Sequence, residues 1–136
     1  MNSGDNMAHK PNFKMKRIWA KKKFNVLLKS EEQYLTIQNL LMNPGFEDED
    51  LFSDFLKKAL SIKNNRIQMV KAYYSIFEMV QSVAKLDEKV QFLNELDNFE
   101  DKPLNNRNIL ELLFVLAKRK NSSTLLRSDL FDKIKE

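Results

Sequence analysis

RIQMVKAYYSIFEMVQSVAK, Arg66 to Lys85, decides the fold class. Gln68, Lys71, Ser75, Glu78, Ser82 and Lys85 recur in it at spacings of three and four, the period of an α-helix and not of a strand. Beside that narrow polar stripe the helix is apolar: Ile67, Met69, Val70, Tyr73, Tyr74, Ile76, Phe77, Met79, Val80 and Val83. So wide an apolar arc needs neighbours on two sides, and the segment is expected to be a central helix.

Helical signals continue in both directions. Upstream, Ser30-Glu31-Glu32-Gln33 has capping-box spacing, and Tyr34, Ile37, Leu40 and Leu41 follow at helical intervals before Asn43-Pro44-Gly45 stops the run. A second helix should open near Glu47, with Glu47, Asp48, Glu49 and Asp50 in its first turn and Lys57, Lys58 and Lys63 toward its end, which complements a helix dipole. Its buried side should be Leu51, Phe52, Phe55, Leu56 and Leu60, and Asn64-Asn65 breaks the pattern. Downstream, Val90, Phe92, Leu93, Leu96 and Phe99 mark a shorter amphipathic helix, followed by the acidic loop Glu100-Asp101-Lys102-Pro103. From Ile109 to Ala117 the only polar residue is Glu111, the pattern of another buried helix. Ser122 or Ser123 can cap a last helix carrying Leu125, Leu126, Leu130, Phe131 and Ile134.

These elements predict an all-α fold: a single-domain antiparallel helical bundle, or a short array of helical hairpins, of about six helices. The domain should run over residues 13–136, behind a polar and disordered tail at 1–12. One internal echo gives an alternative. Ile76 to Lys85, IFEMVQSVAK, aligns without gaps on Ile109 to Lys118, ILELLFVLAK, at a shift of 33, and Phe92-Leu93 then fall on Leu125-Leu126. ILELLFVLAK followed by SSTLLRSDLF resembles the helix pair of an armadillo or HEAT repeat. That resemblance covers about half of the chain and implies a concave protein-binding surface; stacked repeats usually number at least three, and Glu31 to Asn64 is a poor third copy.

Composition limits the function. With 136 residues the chain holds one core and not two, and with Gly 2 against 43% apolar residues it has core material but little turn chemistry. Cysteine is absent, so disulfides and thiolate metal sites are excluded. No apolar run is long enough to span a bilayer, and MNSGDNMAHK lacks the apolar core of a signal peptide, so no membrane association is expected and a soluble cytoplasmic protein is the simplest reading. Gly4 and Gly45, the only glycines, cannot build a phosphate-cradling loop.

Chemistry-bearing residues are sparse. His9 is the only histidine, so neither a histidine-based triad nor a multi-histidine metal site can form. Glu47, Asp50 and Asp54 share a helix face but lack the spacing and glycine of a calcium loop. Glu111 reads as the strip of its helix that reaches solvent, and Tyr73, Tyr74, Met69 and Met79 read as core. Ser122, Ser123 and Ser128 have no histidine partner, and no lysine sits in an apolar pocket. The expectation is a protein that is not an enzyme, with no cofactor, no metal and no evident small-molecule substrate.

Charge is blocky. Met1 to Ser30 holds eight basic residues against Asp5 alone, whereas Glu31 to Leu56 holds seven acids and no base. The basic block centres on FKMKRIWAKKKF, Phe13 to Phe24, with Lys14, Lys16, Arg17, Lys21, Lys22 and Lys23 around the only tryptophan, Trp19. As a helix it gathers Met15, Ile18, Trp19 and Val26 on one side, with Lys22 intruding. Docking of Ile18 and Trp19 on the core, with wet lysines, is the plainest reading. The functional reading makes these six basic residues and Trp19 the contact set for a partner or for phosphates, with Trp19 or Phe24 stacking on a base and Lys118, Arg119 and Lys120 assisting if the fold brings them close.

Two functions follow. The first is a small non-enzymatic helical interaction or regulatory protein of adaptor type, which binds a protein partner or itself through a helix face. The second is a nucleic-acid-binding accessory protein using residues 14–23, although no helix-turn-helix, RNA-binding aromatic motif or zinc finger is visible. Opposite charge blocks also allow head-to-tail self-association of the basic N-terminus with Glu47 to Asp54.

Overall fold

Short polar side chains set the helix boundaries by taking the orphan amides of each first turn. Ser30 Oγ accepts from Gln33 N–H at 3.1 Å, Asp48 Oδ1 from Leu51 N–H at 3.0 Å and Asn65 Oδ1 from Gln68 N–H at 3.0 Å. The computed structural model describes residues 10–99 and 106–135, and these form eight α-helices with no strand among them. They are α1 (Lys10–Lys29), α2 (Glu31–Met42), α3 (Glu49–Leu60), α4 (Arg66–Val80), α5 (Leu86–Asp97), α6 (Arg107–Lys120), α7 (Ser123–Leu126) and α8 (Asp132–Lys135). Single 3₁₀ turns at Gln81–Val83 and Asp129–Phe131 complete the helical array. His9 and the loop Glu100 to Pro103 lie outside the described residues, as do residues 1–9 of the expected tail.

Four boundaries differ from the sequence reading. α1 begins at Lys10, ahead of the expected start at residue 13, and Asn12 is buried because its amide donates to Phe46 O at 2.8 Å. The second helix starts at Glu49 and not Glu47, because Asp48 acts as its cap and not as a first-turn acid. α4 stops at Val80, short of Lys85, and α6 holds the 3₁₀ turn that follows: Arg119 donates to the Val83 backbone O at 2.8 Å and Lys120 to the Ser82 hydroxyl at 2.7 Å. The expected last helix is broken into α7, a 3₁₀ turn and α8. Ser128 causes the break, since its buried hydroxyl donates to Leu125 O at 2.7 Å and accepts from Leu130 N–H at 3.3 Å.

The Arg66 helix has neighbours on two sides, as expected of a central helix, and α1 has more neighbours still. α1 touches α2, α3, α4 and the 3₁₀ turn at Asp129–Phe131, whereas α4 lies between α1 and α6. α1 carries two apolar stripes, and they divide the interior into two cores where the chain length predicts one. Met15, Trp19 and Val26 join Ile37, Leu41, Phe52 and Ala59 in a smaller core, while Phe24 joins the larger core of Tyr73, Ile76, Phe77, Phe92, Leu113 and Phe131. Ile18, expected to dock beside Trp19, is instead 37% exposed, at the edge of the side that carries Met15, Trp19 and Val26.

In the larger core Phe77 and Phe92 stack at 4.2 Å with rings 10° apart, and Tyr73 meets Phe99 edge-on at 5.8 Å. Of the residues aligned by the 33-residue echo, Ile76 and Ile109, Phe77 and Leu110, Val80 and Leu113, and Phe92 and Leu125 are buried in both copies, whereas Met79 is exposed and Leu112 buried. The second unit departs from the first where α7, a single turn, stands opposite the three-turn α5.

Candidate functional site

α1 separates the predicted basic residues by their place on its wheel. Lys14, Arg17 and Lys21 are spaced i, i+3, i+7 and form one exposed stripe, with Phe13 and Ile18 exposed beside them; Lys16 is exposed on the adjoining strip. Lys14 Nζ lies 3.7 Å from Glu49 Oε1, so part of the attraction between the two charge blocks is realised within the chain. Lys22 is committed to a different contact, with Nζ 2.6 Å from Asp129 Oδ2. Lys23 is partly buried with its ammonium 5.4 Å from the Phe24 ring centroid; burial lowers its pKa, and the nearby Arg127 lowers it further.

Two residues leave the expected contact set. Trp19 is 5% exposed and Phe24 3%, so neither ring can stack on a base. Trp19 Nε1–H donates to Gln38 Oε1 at 2.6 Å, and its ring lies tilted against Tyr34 at 5.5 Å. Nor do Lys118, Arg119 and Lys120 join the stripe as a free group. Arg119 grips Glu88 with both prongs, at 2.7 and 3.0 Å, and Lys120 is bonded to Ser82. The Arg119 guanidinium and the Lys85 N–H, which donates to Glu88 Oε1 at 2.8 Å, hold the Glu88 carboxyl at about 2, well below its ordinary value.

The cation that does join is one the sequence reading left out. Arg127 is exposed and meets Arg17, Ala20 and Lys21 around a hollow of about 250 Å³, next to one of about 330 Å³ lined by Lys14, Arg17, Ile18 and Lys21. Arg127 arrives there because Ser128 ends the helix after it and the following 3₁₀ turn packs on α1. In a continuous last helix it would have no such reason to stand out.

A second surface lies on α5. Val90 and Leu93 were expected in its buried face, yet both are exposed, in line with Leu86 at 78%. The helix carries two apolar stripes at the same spacing, Leu86–Val90–Leu93 and, running past its end, Phe92–Leu96–Phe99. Only the second faces the core. Exposed Asp87, Asn94 and Asp97 border the first. The duplicate stripe is the signal that sequence reasoning passed over.

The remaining chemical candidates resolve locally. Glu111 is exposed and paired with Arg107 at 3.0 Å. Met69 and Tyr73 are core, whereas Tyr74 and Met79 are exposed and not core as expected. Among the described residues no three His, Cys, Asp or Glu side chains come together as a metal site, and no helix is long and apolar enough to cross a membrane. Comparison with curated proteins finds no match, and comparison with solved structures finds none. A family model matches residues 23–134, which takes in the end of α1 from Lys23, the α5 stripe and Arg127, and begins after Lys14, Arg17 and Lys21. The chain belongs to that family, whose description is "Protein of unknown function (DUF1722)".

Proposed function

We propose that the protein is a non-enzymatic helical interaction module that binds an amphipathic helix of a partner protein along α5. The observation that supports this is the apolar row Leu86, Val90 and Leu93, exposed on a helix whose other apolar row is already buried. Three large apolar side chains in line over two turns match the anchor spacing by which a partner helix is held in a groove. Single exposed apolar residues are ordinary, whereas a contiguous row is a mark of an interaction site. Exposed Asp87 and Asp97 at its border, against the partly buried Lys89 on the other edge, favour a partner helix with basic flanks.

The test is photocrosslinking from a benzophenone amino acid at Val90 in cells, identification of the adduct, and rebinding with purified components. The reading requires a partner that crosslinks through an amphipathic basic helix and loses affinity tenfold or more with Leu93→Asp and severalfold with Asp87→Lys. Crosslinking only to a second copy replaces it with homo-oligomer formation. No adduct from Leu86, Val90 or Leu93 removes it.

A second reading, nucleic-acid binding, is favoured by one observation, the convergence of Arg127 on Arg17 and Lys21. Arg17, Lys21 and Arg127 would grip phosphates without base stacking, giving affinity that falls steeply with salt. Fluorescence anisotropy with single- and double-stranded DNA and RNA tests it. Retained affinity in Lys21→Ala with Arg127→Ala, or no binding at low salt, rules it out.

A further inference from the structure

A cavity of about 430 Å³ is bounded by α1, α3, α4, α6 and the C-terminal segment, and shares no lining residue with the α5 row or the Arg17–Lys21–Arg127 hollow. That volume is within the range of small-molecule sites, and Met69, Leu110 and Leu130 make buried apolar walls. Two buried polar side chains also line it. Tyr73 is 0% exposed and Asn106 8%, and Asn106 Nδ2 donates to the Tyr73 hydroxyl at 2.7 Å. This bond uses Tyr73 as an acceptor. Among the described residues nothing accepts the phenolic proton, and nothing donates to the Asn106 carbonyl oxygen.

Buried polar groups without a partner are costly, and when they line a roomy cavity the physical remedy is a molecule that supplies the missing partner. Tyr73 offers an O–H, while Asn106 offers its second N–H and a carbonyl. An amide answers all three, with its C=O toward the donors and its N–H toward the Asn106 oxygen. Around the opening Lys29 is already bonded to Asn64 at 2.8 Å. Asp129 is taken up by Lys22, Asp132 stands beside Lys29 and Lys133, and the apolar walls penalise an ion inside.

We infer that this cavity is a binding site for a small uncharged amide or lactam with an apolar body, recognised by Tyr73 and Asn106. The site is independent of the α5 and α1 surfaces, so its fate and theirs are decided separately.

The experiment is an NMR titration of the full chain with cyclohexanecarboxamide, 2-piperidone and cyclohexanecarboxylate, read at the side-chain NH₂ resonances of Asn106. Saturable shifts are expected with the two amides, and carboxylate affinity at least tenfold weaker. Tyr73→Phe, which keeps the ring and removes the donor, should weaken amide binding tenfold or more. Leu60→Trp, which enlarges a lining side chain and leaves Tyr73 and Asn106 themselves unchanged, should abolish it and decides the matter if Tyr73→Phe does not fold. Absence of a saturable shift with either amide, wild-type affinity in both variants, or preference for the carboxylate overturns the assignment.

Discussion

Trp19 donates its indole N–H to Gln38 Oε1 at 2.6 Å across the α1–α2 contact, with the ring 5% exposed. The bond converts the one tryptophan in the most basic stretch of the chain from a surface probe into the polar lock of the smaller core. Val26 belongs to that core and Phe24, two residues earlier, to the larger one. Loss of α1 order therefore opens both cores together.

Unfolding in urea is accordingly expected to be a single transition, with Trp19 emission and far-UV helicity changing at the same midpoint. Trp19→Phe leaves the Gln38 amide oxygen without its donor and should cost about 1–3 kcal/mol. Trp19→Ala empties the site and should cost about 3–5 kcal/mol. Fluorescence and circular dichroism that separate by more than their error would show that α1 does not couple the two cores.

Local chemistry is legible in this sequence and long-range choice is not. Ser30 caps where its residue type and spacing say, because a cap needs only its own helix. Ile18 and Trp19 are neighbours in the same stretch, and which of them is buried depends on where α2 and α3 lie. The two α5 rows are equivalent by periodicity, so only the position of Phe77 and α6 selects Phe92 and Leu96. Arg127 becomes part of the basic surface through the break at Ser128, a residue whose buried hydroxyl bonds were not readable from composition.

Glu88 carries the acid sensitivity that is easiest to assign. Its folded-state value, about 2, lies below the ordinary 4.5, so its contribution to stability is complete above the unfolded value and is lost as pH falls through the folded one. Thermal unfolding measured from pH 6 to pH 2 should therefore fall less steeply below about pH 4.5 in Glu88→Gln than in the wild type. Parallel curves would mean that the Arg119 contact contributes nothing to the pH dependence.

Asn121 ends α6 in the left-handed region, at φ 58° and ψ 45°, with its N–H bonded to Lys118 O at 3.0 Å and the Ser122 N–H bonded to Ala117 O at 2.9 Å. Asparagine tolerates that conformation better than other residues with a Cβ, and glycine better still. Asn121→Ala is expected to destabilise by about 1 kcal/mol and Asn121→Gly to be neutral or slightly stabilising. Equal urea midpoints for wild type and Asn121→Ala would remove the backbone explanation.

Lys21, Lys22 and Lys23 are consecutive and have three different environments. Lys21 is exposed, Lys22 ties α1 to the 3₁₀ turn at Asp129–Phe131 through Asp129, and Lys23 lies partly buried with its head near the Phe24 ring. Lys21→Ala should leave stability within about 0.5 kcal/mol of wild type, as surface changes usually do. Lys22→Ala removes a half-exposed ion pair and should cost at most about 1 kcal/mol globally. Its larger effect should be local. Leu130 and Phe131 are buried, but the segment that carries them is held by short turns with few backbone bonds of their own, so the pair controls how often the segment opens. Amide hydrogen exchange over residues 128–135 should accelerate severalfold in Lys22→Ala and remain unchanged in Lys21→Ala. Equal exchange in the two variants would show that apolar burial alone holds the segment, and that Lys22 is as free for phosphates or a partner as its neighbour.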